Sequence, residues 1–122
     1  VNQNKRIVGI GYNGLPIGCN DDEYPWEREG ELLNTKYPYV VHAEPNAILN
    51  STSRLVNATL YVTLYPCNEC MKLIIQSGIK EIVYLSDKYN GTPTDIASKK
   101  MAASANIKTR QLKDYKLTVT HQ

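Results

Sequence analysis

The sequence lacks any apolar run approaching the about 20 residues that a membrane-spanning helix requires. Its first thirty residues hold only Ile7-Val8-Gly9-Ile10 as an apolar stretch, and Gly11, Tyr12, Asn13 and Gly14 follow at once, so no secretory signal is read there. An excess of charge of one sign is also missing. Fourteen Lys and Arg stand against twelve Asp and Glu, a formal net charge of +2, a balance too even to announce a nucleic-acid binder by charge alone, though it leaves room for local basic patches. Cysteine is scarce and odd in number, three in all, which counts against a secreted disulfide scaffold and directs attention to an intracellular metal or redox site. No repeat, low-complexity tract or linker divides the chain, and 122 residues is the size of one domain. The expectation is a single domain over residues 1–122, working in the cytoplasm or nucleus, with no membrane partner.

What is present is an alternation of strand and helix patterns. Residues 6–11 read as a strand entered from an Asn2-Gln3-Asn4-Lys5 turn. That turn has no strand before it, so the chain reads as N-terminally truncated. Residues 12–39 carry Gly14, Pro16, Gly18, Pro25, Gly30 and Pro38 and read as a long irregular loop, a length that is usually functional. A helix is predicted over Ala43–Leu49, with Pro45 in its first turn. Residues 58–64 alternate, placing Leu60, Val62 and Leu64 on one face of a strand. Pro66 opens a second helix with Met71, Leu73, Ile74 and Ile75 as its buried side, and Gly78 closes it. A strand over Glu81–Ser86, a helix over 95–105 and a strand over 107–112 complete the pattern. This order predicts an α/β fold with parallel pairing through right-handed crossovers.

The chemistry lies in two short segments, His42-Ala43-Glu44 and Pro66-Cys67-Asn68-Glu69-Cys70, each at the mouth of a predicted helix. Cys67 and Cys70 are three apart and share one helix face, where the N-terminal N–H groups favour thiolate. Zinc takes thiolate and imidazole ligands, and three protein ligands plus a water make the catalytic arrangement. His42 is the candidate third ligand; the remaining cysteine and histidine are Cys19 and His121. A water in the fourth position would have its pKa lowered to about 7, yielding hydroxide. Glu44, two residues beyond His42, is placed to take its proton and pass it on. By itself Cys67-x-x-Cys70 reads equally as a structural zinc knuckle or a dithiol redox pair. Glu44 alone reads as a charge favouring the helix dipole.

His-x-Glu followed by Pro-Cys-x-x-Cys is the signature of zinc-dependent nucleoside and nucleotide deaminases. Gly11-Tyr12-Asn13-Gly14-Leu15-Pro16-Ile17-Gly18-Cys19-Asn20-Asp21-Asp22, Lys36-Tyr37-Pro38-Tyr39-Val40-Val41-His42-Ala43-Glu44, Leu64-Tyr65-Pro66-Cys67-Asn68-Glu69-Cys70 and Leu85-Ser86-Asp87-Lys88-Tyr89 resemble the deoxycytidylate (dCMP) deaminase family, in order, over residues 5–112. The resemblance implies hydrolysis of dCMP to dUMP and ammonia, supplying dUMP for thymidylate synthesis. It implies catalytic Zn2+ on His42, Cys67 and Cys70, attack at C4 of the ring, and Glu44 protonating N3 and then the departing amine. It also implies Asn13 and Tyr89 as substrate-binding residues, which otherwise read as a turn residue and a packing residue. A homohexamer activated by dCTP with Mg2+ and inhibited by dTTP is implied as well. The implied fold is a three-layer αβα cytidine-deaminase-like fold with a mixed five-stranded sheet and helices on both faces. Against it, this chain is expected to lack the N-terminal helix and first strand, the latter lying between the strands of Arg6 and Ala58. Two alternatives share the signature or part of it. One is a polynucleotide deaminase acting on tRNA adenosine or cytosine, and the other a non-catalytic, zinc-stabilised nucleotide-binding subunit.

Overall fold

A computed structural model describes residues 1–113. Its elements are β1 (Asn2–Gln3), β2 (Arg6–Ile7), α1 (Ala43–Leu49), β3 (Thr59–Leu64), α2 (Asn68–Ser77), β4 (Glu81–Ser86), α3 (Pro93–Ser104) and β5 (Lys108–Gln111). They form one mixed sheet of order β2-β1-β3-β4-β5. β3, β4 and β5 are parallel, whereas β1 runs antiparallel to both of its neighbours. The α/β fold with a mixed sheet is the one expected. His121 lies outside the described residues.

Alternation along β3 and β4 decides which face is covered. Leu60 pairs with Ile82 and Val62 with Tyr84, and these point to the helices; Tyr61 pairs with Val83 on the other side. α1 packs on α2 and α2 on α3, so the three form one layer, as successive right-handed crossovers in one direction require. The core joins Leu60 and Ile82 of the sheet to Met71 and Ile74 of α2 and Ala102 of α3. Met71, Ile74 and Ile82 are fully buried, each contributing about 1.5–3 kcal/mol. No second helical layer is found among the described residues, and on that face Tyr61 is exposed.

Several boundaries differ from the sequence reading. The 2–5 segment is a turn only in its second half. Asn2 and Gln3 pair with Ile7 and Arg6, while Asn4 and Lys5 take φ values of 53° and 63°, the two left-handed positions of a tight hairpin. Asn2 also pairs with Thr59, so β1 stands between β2 and β3. The strand expected to be missing from that place is therefore present there as two residues. Its polar Asn-Gln composition carries no alternation, because backbone pairing alone defines it. Leu73 was expected in the core but is half exposed, since the buried stripe of α2 runs through Cys70, Met71 and Ile74. α2 starts at Asn68 because Cys67 is its N-cap, and α3 starts at Pro93 because the Thr92 hydroxyl caps the Asp95 N–H.

The strand predicted over 6–11 ends at Ile7, and the reason positions the site. α1 lies directly on the backbone of residues 9–11. A Cβ on Gly9 would sit 2.5 Å from the Ala47 carbonyl oxygen, and one on Gly11 2.5 Å from that of Ala43. Glycine is needed at both positions for the approach. Gly11→Ala is accordingly expected to lower stability by about 1–3 kcal/mol. The urea midpoint reads this, with the denaturant slope unchanged; an unaltered midpoint would contradict the packing described.

Candidate metal centre

His42 is the N-cap of α1 and Cys67 the N-cap of α2, both with extended backbone. Each is held from outside its own helix. Val41 exchanges two backbone hydrogen bonds with Gly14, at 2.7 and 3.1 Å, which delivers the long loop to His42. Asn13 Oδ1 accepts from the Ala43 N–H at 2.9 Å, satisfying a donor at the start of α1 that His42 leaves open. Asn46 Nδ2 donates to the Tyr12 carbonyl at 2.8 Å and so pins the same loop. On the other side Ser98, fully buried on α3, donates its hydroxyl to the Pro66 carbonyl at 2.8 Å.

The result is a convergence of three ligand atoms. His42 Nδ1 lies 3.2 Å from Cys70 Sγ and 3.7 Å from Cys67 Sγ, and all three lie within 4.8 Å of one another. Zinc with bonds of about 2.3 Å to sulfur and about 2.0 Å to nitrogen holds tetrahedral ligands about 3.5–3.8 Å apart. The donor set and its spacing fit that ion.

The sulfurs are unequal. A hydrogen bond from the Cys70 thiol, with help from the Cys70 N–H and His42, holds the Cys67 thiol down to about 5. The same hydrogen bond, together with burial and the Glu44 charge, drives Cys70 up. The pair thus carries one thiolate without a metal, and the N-terminus of α2 favours it. Glu44 is buried in the first turn of α1, and burial is the main cause that pushes its carboxyl above the ordinary range. Hydrogen bonding and the nearby His42 pull it partly back. A carboxyl so placed holds its proton more readily than a solvated one. Glu44 also lines a cavity of about 420 Å³ with Gly9, Gly11, Ala47 and Leu60. His42 and Cys70 border an open groove with Val40, Pro45 and Leu73.

Of the residues expected at the site, the structure brings His42, Glu44, Cys67 and Cys70 together. Asn13 reaches the mouth of α1 as a cap beside His42. Tyr89 lies half exposed in the turn after β4 with Lys88 Nζ 5.1 Å from its ring, and neither Tyr89 nor Asn13 lines the two cavities. Cys19 stands beside Tyr24, outside the cluster. Sequence reasoning passed over Gly9 and Gly11 as supports of α1, although two alternating glycines at a strand end are a signal of close backbone approach. Ser98 gave no signal, since its partner is 32 residues away.

Comparison with known proteins agrees with this geometry. The family described as cytidine and deoxycytidylate deaminase zinc-binding region matches residues 1–86. The deoxycytidylate deaminase of Homo sapiens is 52% identical over 113 residues, covering 91% of this chain and 64% of that protein. A probable deoxycytidylate deaminase of Drosophila melanogaster is 49% identical over 127 residues, covering 98% of this chain and 63% of that protein. The chain thus spans a little under two thirds of the length of these relatives. The crystal structure of dCMP deaminase from cyanophage S-TIM5 in complex with dCMP and dUMP superposes with a TM-score of 0.69 at 27% identity, covering 91% of this chain and 76% of that one. Its apo form gives 0.68 at 23% identity over 91% and 75%, which shows the fold. With its His-x-Glu and Pro-Cys-x-x-Cys segments folded onto one point and most of its length matched, the chain belongs to the cytidine and deoxycytidylate deaminase zinc-binding family.

Proposed function

We propose that this chain catalyses hydrolytic deamination of dCMP to dUMP and ammonia, with Zn2+ held by His42, Cys67 and Cys70. The observation that carries the reading is the meeting of these three ligand atoms beside a buried carboxyl, Glu44. The substrate is supported by the deoxycytidylate deaminases to which the chain is about half identical and by the structural neighbour in complex with dCMP and dUMP. Zinc in this site supplies the Lewis acidity that makes water a nucleophile near neutral pH.

The chain's own residues manage the protons. Glu44 takes one from the attacking water as oxygen bonds to C4 of the cytosine ring, and gives it to N3. It then carries the second proton to the exocyclic nitrogen, the C4–N bond breaks, and ammonia leaves a uracil ring. A carboxyl raised by burial is suited to both directions of transfer. We assign Asn13, anchored on the Ala43 N–H beside His42, to the sugar or base. Tyr89, beyond the carboxyl end of β4, is assigned to the nucleotide because ligands of open α/β sheets gather outside those ends. The family resemblance further supports a homohexamer, activation by dCTP with Mg2+, inhibition by dTTP, and a cytoplasmic or nuclear role in thymidylate supply. No helix among the described residues is long and apolar enough to cross a membrane.

Three outcomes test this reading. Glu44→Gln should keep its zinc while ammonia release falls by about 10²–10⁴-fold; unchanged turnover would remove Glu44 from the role. Among dCMP, deoxycytidine and a cytosine-containing oligonucleotide, dCMP should be turned over best, and turnover of the oligonucleotide alone would transfer the chain to the polynucleotide class. In chelator-treated protein at mildly acid pH, iodoacetamide should label Cys67 well ahead of Cys70, because the Cys67 thiol is held down and partly exposed while that of Cys70 is pushed up and buried. Reloading zinc should protect both, and peptide mapping that finds no protection would exclude the sulfurs as ligands.

A further inference from the structure

The geometry points to Lys99 as a positioning residue that holds the turn between β4 and α3, with Tyr89 in it, against the corner that carries Cys67. This rests on the deaminase reading in assigning Tyr89 to the nucleotide. Lys99 Nζ donates to Asp87 Oδ2 at 2.7 Å and to Asn90 Oδ1 at 2.7 Å, and lies 3.1 Å from Asp95 Oδ2. Three oxygens therefore meet the three N–H bonds that an ammonium can offer. The Tyr65 ring, its centroid 5.0 Å away, covers the cation from the side of β3.

These partners come from four places. Tyr65 follows β3 and precedes Pro66-Cys67; Asp87 follows β4; Asn90 lies in the turn; Asp95 is on α3 itself. Tyr89 is bracketed by Asp87 and Asn90, both on the same ammonium. Its own side chain is half exposed, so its flanks decide where it stands. The turn is closed by the Asn90 N–H on the Asp87 carbonyl at 3.0 Å and the Thr92 N–H on that of Tyr89 at 3.1 Å. The Gly91 N–H adds a bond to Asp95 Oδ2 at 3.0 Å. Ser98, the preceding residue of α3, holds the Pro66 carbonyl. Consecutive side chains of one helix thus fasten the metal corner and the turn to the same support.

Among the described residues, the cluster depends on a single cation. The side chains of Asp87 and Asp95 are 20% and 6% exposed, and Asp87 Oδ1 is buried without a hydrogen-bond partner among the described residues. Without the ammonium, two shielded carboxylates would face each other across the turn, and like charges in such a place repel. The turn would open while the ligands of the metal, fastened through Ser98, stayed in place. The consequence is weaker nucleotide binding with the chemical step preserved.

The experiment compares the full chain with Lys99→Met, Lys99→Arg and Asn90→Ala, reading steady-state kinetics with dCMP, zinc content and amide hydrogen exchange. Lys99→Met should raise KM at least about tenfold with kcat held within about threefold and zinc content unchanged, the pattern of lost binding rather than lost chemistry. Exchange at Gly91 and Thr92 should quicken while that of α2 does not. Lys99→Arg should restore KM to within about threefold, since its guanidinium can span both carboxylates. Asn90→Ala, which leaves the ion pairs intact, should move KM and exchange in the same direction by less, and carries the comparison if Lys99→Met does not fold. Unchanged KM and exchange would overturn the proposal, as would a fall in kcat together with zinc. Wild-type protein that leaves dCMP untouched would refute the deaminase reading instead. In that case exchange at Gly91 and Thr92 still decides the clamp: faster in Lys99→Met upholds it, and unchanged rejects it.

Discussion

The structure depends on bringing the N-termini of α1 and α2 to one point. His42 and Cys67 are the N-cap residues of the two helices, and Cys70 is one turn into the second. Ligand atoms from segments 25 and 28 residues apart then fall within hydrogen-bonding distance of one another. Capping positions suit the task. Their side chains leave the helix at its mouth, and N–H groups without intrahelical partners favour thiolate there. α1 can approach only because Gly9 and Gly11 present bare backbone beneath it, and α2 is placed by the parallel pairing of β3 with β4.

Around that point the surroundings divide the labour. Burial raises Glu44, while the cysteine pair shares one proton and leaves Cys67 anionic. A carboxyl ready to carry protons therefore stands beside a sulfur ready to bind a cation. The supports are all hydrogen bonds between elements distant in sequence: Asn13 to Ala43, Asn46 to Tyr12, Ser98 to Pro66. None of them belongs to the candidate ligand set; the bonds to Ala43 and Pro66 fix the backbone next to His42 and Cys67, and the bond to Tyr12 fixes the loop that carries Asn13. Structural support of this kind determines how well a first ring of ligands keeps its geometry.

The cluster of His42, Cys67 and Cys70 with Glu44 beside it was legible in the sequence because its two segments are local patterns: the cysteines stand three positions apart, and Glu44 two positions beyond His42. Ala43–Leu49 and Glu81–Ser86 were legible for the same reason, through periodicity and composition. β1 was not, because two polar residues paired only through backbone leave no pattern, and its partner Thr59 is far along the chain. Leu73 looked like core by composition, but the angular position of a residue on α2 is settled by what packs against it. Asn13 was read as a turn or ligand residue, and its contact with the Ala43 N–H spans 30 residues. Ser98 and Lys99 sit in a helix that reads simply as Ala- and Lys-rich; their meaning comes from neighbours brought by the crossover of β4 to β5 through α3.

Zinc K-edge X-ray absorption on the purified chain tests the central claim most directly, because it reports the ligands of the ion without reference to turnover. The account predicts two sulfur scatterers at about 2.3 Å and two lighter atoms at about 2.0–2.1 Å, one of them with the outer-shell signature of imidazole. A site of sulfur alone, an imidazole signal absent, or protein that binds no zinc while Cys67 and Cys70 cycle as a disulfide would contradict it.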